Sequence, residues 1–308
     1  MLIRRGDEPS RNARRACVVA IGNFDGLHLG HQAILDVLRY ASREEGLPAA
    51  VLTFEPHPRE YFAPQAAPAR LMRLRDKAEA LAALGLDELR VLRFDAALSQ
   101  WDGMTFIERV LLRAMGAKRV VIGEGFRFGR ERGGDVSLLR DAGATHGFRV
   151  DEVPPVAVGG PPVSSTRVRE ALTAGRLEEA TALLGHEYRI SGRVVAGARL
   201  GRRLGFPTAN IRLHRRKSPV AGIFAVRVSG LAFERRPAVA SVGTRPAVGG
   251  TEWLLEVHLF DFDRDLYRQR LDVDFVARLR DEVAYDNLDA MTEQMHRDAA
   301  RARELLAA

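Results

Sequence analysis

The sequence predicts an α/β protein built as two domains. An N-terminal Rossmann-like domain on a parallel sheet precedes a small antiparallel β-barrel, and a helix closes the chain. The first supporting observation is that apolar runs at 17–21, 49–54, 89–94, 119–123 and 148–153 alternate with stretches of helical periodicity. Strand and helix in alternation imply parallel strands joined by crossovers. The second is that beyond Gly185-His186 the pattern becomes one of successive strands, at Tyr188–Val195, 222–228, 238–242, 253–260 and 271–275. Turn residues separate these strands, the spacing of a small barrel. Third, 308 residues suffice for two domains of ordinary size. The boundary is placed near residue 186, giving domains 1–185 and 186–308.

The first apolar run feeds a glycine-rich turn, Gly22-Asn23-Phe24-Asp25-Gly26-Leu27-His28-Leu29-Gly30-His31, and then a helix from Gln32. Strand, glycine turn and helix together point backbone N–H groups at an anion. His28 and His31 stand three residues apart and share one face. The turn is not GxGxxG and the chain contains no GxxxxGK[ST], so neither the dinucleotide fingerprint nor the P-loop applies. By itself the turn admits three readings: an H-x-G-H nucleotide site, a helix-capping histidine pair, or a zinc site completed by His57.

The second strand ends in Phe54-Glu55-Pro56-His57-Pro58, where two prolines fix an extended turn. That is the end of an open α/β sheet at which ligands bind. Amphipathic helices are expected at 71–84 and 105–115, with strands between them. The fourth strand leads into Glu124-Gly125-Phe126-Arg127-Phe128-Gly129. A Gly/Pro-rich loop then reaches Ser164-Ser165-Thr166-Arg167-Val168-Arg169, where Ser/Thr residues precede a helical pattern. Free N–H groups, hydroxyls and arginines at one helix start suit a phosphate, and equally suit a capped surface helix.

A short helix is expected at Leu177–Leu184 and a long one at 288–306. Within the barrel half, Gly201-Arg202-Arg203-Leu204-Gly205-Phe206-Pro207-Thr208-Ala209-Asn210 links the first two expected strands. Its glycines admit a close phosphate, and Thr208 and Asn210 bring oxygens suited to Mg²⁺. On the strand 253–260, alternation puts Leu254, Glu256, His258 and Phe260 on one face. A carboxylate among apolar neighbours is either paired or chemically active.

Composition narrows the classes further. The chain is 46% hydrophobic and 28% charged, ordinary for a globular protein, and has a single cysteine, which excludes a disulfide framework. No apolar run reaches the roughly 18–20 residues of a membrane span, and the arginine-rich start lacks the apolar core of a secretory signal. A cytoplasmic protein without membrane partners is expected. The net charge of +7 comes almost wholly from arginine, dispersed among acids apart from clusters at 11–15 and 212–217. A nucleic-acid footprint would be a basic stripe with aromatics, and small polyanions such as ATP suit the charge as well.

These strings resemble the bacterial bifunctional riboflavin kinase/FMN adenylyltransferase family over roughly residues 16–306. The H-x-G-H turn and Ser-Ser-Thr-x-x-Arg resemble the paired signatures of nucleotidyltransferases. The resemblance implies that Gly22, Asn23, Phe24, Asp25, His28 and His31 bind ATP together with Ser165, Thr166 and Arg169, with the last three on the leaving pyrophosphate. It also implies that Phe54, His57, Phe126 and Phe128 lie near flavin and nucleotide. In the kinase half, Gly201, Gly205, Pro207, Thr208 and Asn210 would bind Mg²⁺-ATP. Glu256 would be the general base, and Arg280 and Glu282 would lie beside the flavin. The implied products are FMN from riboflavin and ATP, then FAD with release of pyrophosphate. Two rivals stay open: a kinase whose adenylyltransferase half is degenerate, and a flavin or nucleotide sensor that turns nothing over. Departures from the family pattern are Gly125 for Asp or Asn, Ser241 for Asn, Arg268 for Gly, and Val283-Ala284-Tyr285 for a more polar segment.

Overall fold

Five consecutive buried residues, Cys17–Ile21, form the strand on which the first sheet is centred. The computed structural model describes residues 1–8, 16–197, 201, 204–247 and 250–307. The expected arginine cluster at 11–15 and Arg202 and Arg203 of the glycine-rich loop lie outside the described residues. The chain divides into two compact units, Met1–Pro68 with Met72–Ser164, and Ala69–Leu71 with Ser165–Ala308.

In the first unit, strands β1 (Leu2–Arg5), β2 (Cys17–Ile21), β3 (Ala49–Glu55), β4 (Glu88–Arg93), β5 (Ala117–Gly123) and β6 (Arg149–Val153) make one sheet in the order β1-β4-β3-β2-β5-β6. Every neighbouring pair is parallel. Helices α1 (Leu29–Glu45), α2 (Pro58–Phe62), α3 (Leu74–Ala83), α4 (Ala96–Ser99), α5 (Gly103–Phe106) and α6 (Val136–His146) provide the connections. Alternate residues of β2 feed two cores: Cys17, Val19 and Ile21 pack into one, Val18 and Ala20 into the other. Because β2 pairs with β3 on one side and β5 on the other, the strand order reverses there. The crevice beyond the carboxyl end of β2 is therefore the expected ligand position in such a sheet.

Several local features depart from the sequence expectation, the short helices α2 and α4 among them. Leu2–Arg5 adds an unexpected edge strand. The helix expected at 105–115 starts as α5 and continues over Ile107–Ala114 with wider turns, Met115 N–H reaching the Val110 carbonyl at 3.0 Å. Ile107, Val110, Leu111 and Ala114 are its buried residues. Helix α6 was not expected because its buried face is made of small residues, Ala142 and Gly143, beside Leu139.

The second unit begins with α7 (Ser165–Thr173) and α8 (Leu177–Leu184). Strands β7 (Tyr188–Val195), β8 (Ala209–Arg212), β9 (Gly222–Gly230), β10 (Phe233–Ala247), β11 (Gly250–Leu259) and β12 (Arg270–Arg280) close a barrel in the order β10-β11-β8-β7-β12-β9. All its pairs are antiparallel. Strand β8 falls within the stretch that the sequence shows only as a link; its four residues are too few to register as a periodic run, yet they bridge β7 and β11. Phe224 and Phe275 meet edge to face at 5.1 Å between centroids, both fully buried with Val226, Val273, Leu255 and Val257. Helix α9 (Leu288–Ala307) covers one side, packing Ala302 and Leu306 against Ala225 and Phe260.

Candidate active sites

The turn after β2 is held in a conformation that its own residues do not favour. Phe24 and Leu27 adopt φ of 47° and 45°, in the left-handed region, with Gly26 at 90° between them. Burial fixes this shape: Phe24 is fully buried and Asp25 is 5% exposed. Asp25 Oδ1 accepts the Met72 N–H at 2.9 Å, which ties the turn to the start of α3. Beneath it, Lys77 Nζ donates to the Asn23 carbonyl at 2.5 Å and to Thr53 Oγ1 at 3.3 Å. His28 is the N-cap of α1, its Nδ1 accepting the His31 N–H at 3.4 Å. An accepting Nδ1 leaves the ring's donor at Nε2 in the neutral tautomer. The two imidazoles stack at 3.7 Å. Asn23 Oδ1 is buried without a hydrogen-bond partner.

Of the flavin-side residues, His57 is the N-cap of α2. Its ring accepts the Arg59 N–H at 3.1 Å, and Glu60 accepts the His57 N–H. Phe54 lies 6.1 Å from Phe94 and 6.4 Å from Phe106, and Phe106 reaches Phe128 at 5.4 Å. Phe126 stacks on Phe128 at 5.6 Å. Tyr61 and Phe62 join through Phe94, each at 5.5 Å. The three expected phenylalanines thus belong to one aromatic group at the ends of β3 and β5. Gly125 has φ +73° and open space where a Cβ would stand. Asn and Asp, usual in the family here, are among the side-chain-bearing residues that best tolerate this region. Glycine therefore preserves the turn and removes only a polar side chain.

Ser165, Thr166 and Arg169 lie in the first turns of α7, in the second unit, and Arg169 Nε donates to the Ala69 carbonyl at 2.6 Å.

On the barrel, Gly201, Thr208, Glu256, Arg280 and Glu282 line one cavity of about 630 Å³, together with Ile223, Val239 and Ala240 and residues of α9. The expected alternation of β11 holds, but the face carrying Glu256 is the outer one. Leu255, Val257 and Leu259 fill the barrel, while Leu254, Glu256 and His258 are half-buried outside it. His258 Nδ1 donates to the Pro207 carbonyl at 2.9 Å, tying β11 to the Thr208 loop. A Cβ on Gly201 would stand 2.3 Å from the Phe206 carbonyl oxygen, so the loop closes only on glycine. Asn210 belongs to β8, where it pairs with Glu256 across the ladder. Thr208, Pro207 and Asn210 also line a second cavity of about 320 Å³.

Arg280 is committed to Asp298 of α9 through Nε and Nη2, the latter at 2.6 Å. That hydrogen bond holds its guanidinium above the ordinary arginine range. Sequence reasoning gave Arg245 no role of its own; its Nη2 meets Glu256 Oε2 at 3.0 Å and its Nη1 meets Glu282 Oε1 at 3.3 Å. Partial burial lowers the Arg245 pKa, but Glu256 and Glu282 together carry it above its ordinary value. It also missed Lys77, although a lysine beside Ala78 and Leu81 on the buried face of α3 was a readable signal. Among the described residues no three His, Cys, Asp or Glu side chains form a metal-binding group, which leaves no support for zinc at His28, His31 and His57.

Two family models span the chain: FAD synthetase over residues 10–167 and riboflavin kinase over 184–306. A bifunctional riboflavin kinase/FMN adenylyltransferase of Escherichia coli K12 is 44% identical over 98% of this chain and 97% of its own. The chain belongs to this family. The protein of that description from Pseudomonas fluorescens is 43% identical over 100% and 98% of the two chains. A crystal structure from Streptococcus pneumoniae, named there a macrolide-efflux protein, superposes with a TM-score of 0.83 at 30% identity, covering 98% and 99%. No helix among the described residues is long and apolar enough to cross a membrane. The family's usual glycine after Tyr267 also acquires a reason, because Arg268 stands at φ 64°.

Proposed function

We propose that the chain makes FMN and ADP from riboflavin and ATP on its barrel, and FAD and pyrophosphate from FMN and ATP through the H-x-G-H turn. The two steps are assigned to residues 186–308 and 1–185. The observation that carries the kinase half is that one cavity of about 630 Å³ is lined by Thr208, Glu256, Arg280 and Glu282. Its lining joins apolar side chains, such as Ile223, Val239 and Leu288, which suit an isoalloxazine, to a few polar and charged ones.

In the kinase step, Glu256 takes the proton of the ribityl hydroxyl as its oxygen attacks the γ-phosphorus. The bond from γ-phosphorus to the β-bridging oxygen breaks and ADP departs. Asn210 Nδ2 donates to the Thr208 carbonyl at 3.2 Å, an orientation that assigns Oδ1 as the acceptor end of the amide. An amide oxygen and a hydroxyl are hard donors that suit magnesium, and Thr208 and Asn210 would hold it. Magnesium bound there with ATP neutralises triphosphate charge. The smaller, more polar cavity that these residues share suits the nucleotide.

In the adenylyl step an FMN phosphate oxygen attacks the α-phosphorus, and the bond to the pyrophosphate leaving group breaks. His28, through the Nε2 side of its ring, and His31 serve the triphosphate, with backbone N–H groups of the turn that follows Gly22, whose own N–H is held by the Leu52 carbonyl. Asn23 supplies a buried acceptor for a nucleotide hydroxyl or amino group. Ser165, Thr166 and Arg169 bind the departing pyrophosphate. Phe54, Phe126 and Phe128 offer aromatic surface to the flavin, and His57 shapes that edge by capping α2. No covalent intermediate is needed: positioning and charge neutralisation carry the rate. The proposed compartment is the cytoplasm.

Incubation with riboflavin, ATP and Mg²⁺, followed by chromatography of the flavins, tests both halves. FAD is expected. FMN alone would leave the adenylyltransferase half idle, and unchanged riboflavin would favour a sensor.

A further inference from the structure

Arg245 stands between two carboxylates of the kinase cavity. Its Nη2 holds Glu256 of β11 at 3.0 Å, and its Nη1 holds Glu282, just beyond β12, at 3.3 Å. Ser241 Oγ donates to the same Glu282 oxygen at 3.4 Å. The backbone of Gly243 makes room for that carboxylate, since a Cβ there would lie 2.1 Å from Glu282 Oε2. A continuous chain, Ser241–Glu282–Arg245–Glu256, thus runs along the cavity wall from β10 to β11 by way of the segment after β12.

Stability does not explain this arrangement. The Arg245 and Glu282 side chains are 50% and 37% exposed, and ion pairs so exposed contribute about 0–1 kcal/mol. Geometry explains it better. Two carboxylates approaching one site repel, and a planar guanidinium fork can hold both in fixed directions. With Nη2 on Oε2, the Glu256 rotamer is set and its other oxygen is left for a substrate proton. We propose that Arg245, held in turn by Glu282, is the positioning residue that aims the Glu256 carboxylate at the reacting hydroxyl. The inference rests on reading Glu256 as the base.

The test is steady-state riboflavin kinase kinetics of R245M, R245K and G243A, with adenylylation of supplied FMN by the same chain as a control for folding. A misaimed base lowers kcat by about tenfold to a hundredfold while KM for riboflavin stays within about threefold. R245K, one charge without a fork, should fall between R245M and the parent. G243A displaces only the flexible end of Glu282, so kcat should fall with no loss of thermal stability. Kinase kcat of R245M within about threefold of the parent overturns the proposal. A raised KM with unchanged kcat also overturns it, making Arg245 a flavin ligand instead. The base assignment fails separately, by an active E256Q, whereas an inactive E256Q beside an active R245M sinks the Arg245 proposal alone.

Discussion

Replacing Lys77 by Met isolates how the H-x-G-H turn is held. Lys77 is 6% exposed, and its Nζ donates to the Asn23 carbonyl and to Thr53 Oγ1. A hydrogen bond from a charged donor contributes about 1.5–3 kcal/mol net, and the longer one to the hydroxyl about 1 kcal/mol. Against this, methionine avoids the desolvation of a buried head group, several kcal/mol before compensation. The terms nearly cancel, so overall stability should change by less than about 2 kcal/mol. The local consequence is larger. Phe24 and Leu27 are held at positive φ on either side of Asp25, and Asn23, which precedes them, loses its anchor. A displacement of about 1 Å at reacting groups costs about a hundredfold in rate. Formation of FAD from supplied FMN should therefore fall by about that factor, while phosphorylation of riboflavin by the same chain continues. Discontinuous assays with flavin separation measure both, and scanning calorimetry measures stability. Adenylylation within about threefold of the parent, with stability unchanged, would refute the reasoning.

Glu256→Gln should abolish riboflavin phosphorylation and leave FMN adenylylation intact, read from the same chromatograms. His28→Ala should reverse that pattern, with FMN accumulating from riboflavin as FAD formation falls by about a hundredfold or more. Gly192→Ala puts a Cβ 2.2 Å from Ile211 Cγ2 inside the barrel, and overpacking of this kind costs about 1–3 kcal/mol, a lower melting transition by calorimetry. Burial, reinforced by the Glu88 charge, pushes the Cys17 thiol from 9.0 to about 12. A raised pKa means the neutral thiol is favoured on folding: its contribution is complete below pH 9 and fades as pH rises from there to about 12. Iodoacetamide at pH 8 should therefore label Cys17 only after unfolding, as mass spectrometry would record.

Much of the fold was legible because periodicity reports burial. The bounds of Tyr188–Val195 and Leu177–Leu184 follow from spacing alone, and the strand-helix alternation of the first unit is written in its apolar runs. Elements were missed where burial leaves little trace in sequence: the short β8, the edge strand β1, and α6 with its small buried residues. The chemistry-bearing strings were legible for another reason. Close approach of backbone to an anion admits few residue types, so Gly201, Gly205 and the His28–His31 pair stand out. Arg245 carried no assigned role, since an arginine in a chain rich in arginine shows no particular chemistry until its partners are known, whereas the spacing of Lys77 with Ala78 and Leu81 on α3 already marks a buried lysine.

By itself the sequence determined which side-chain chemistry is present and in what order, because turns, caps and hydrophobic periods are local properties of consecutive residues. Only the tertiary structure decided that Glu256 lies on the outer face of β11, that Asn210 pairs with it across the ladder, and that Arg245 spans two carboxylates. Those relations join β8 and the end of β12 to the β10–β11 hairpin, elements separated along the chain. Barrel closure brings them together, and no local rule encodes the register at which it does so.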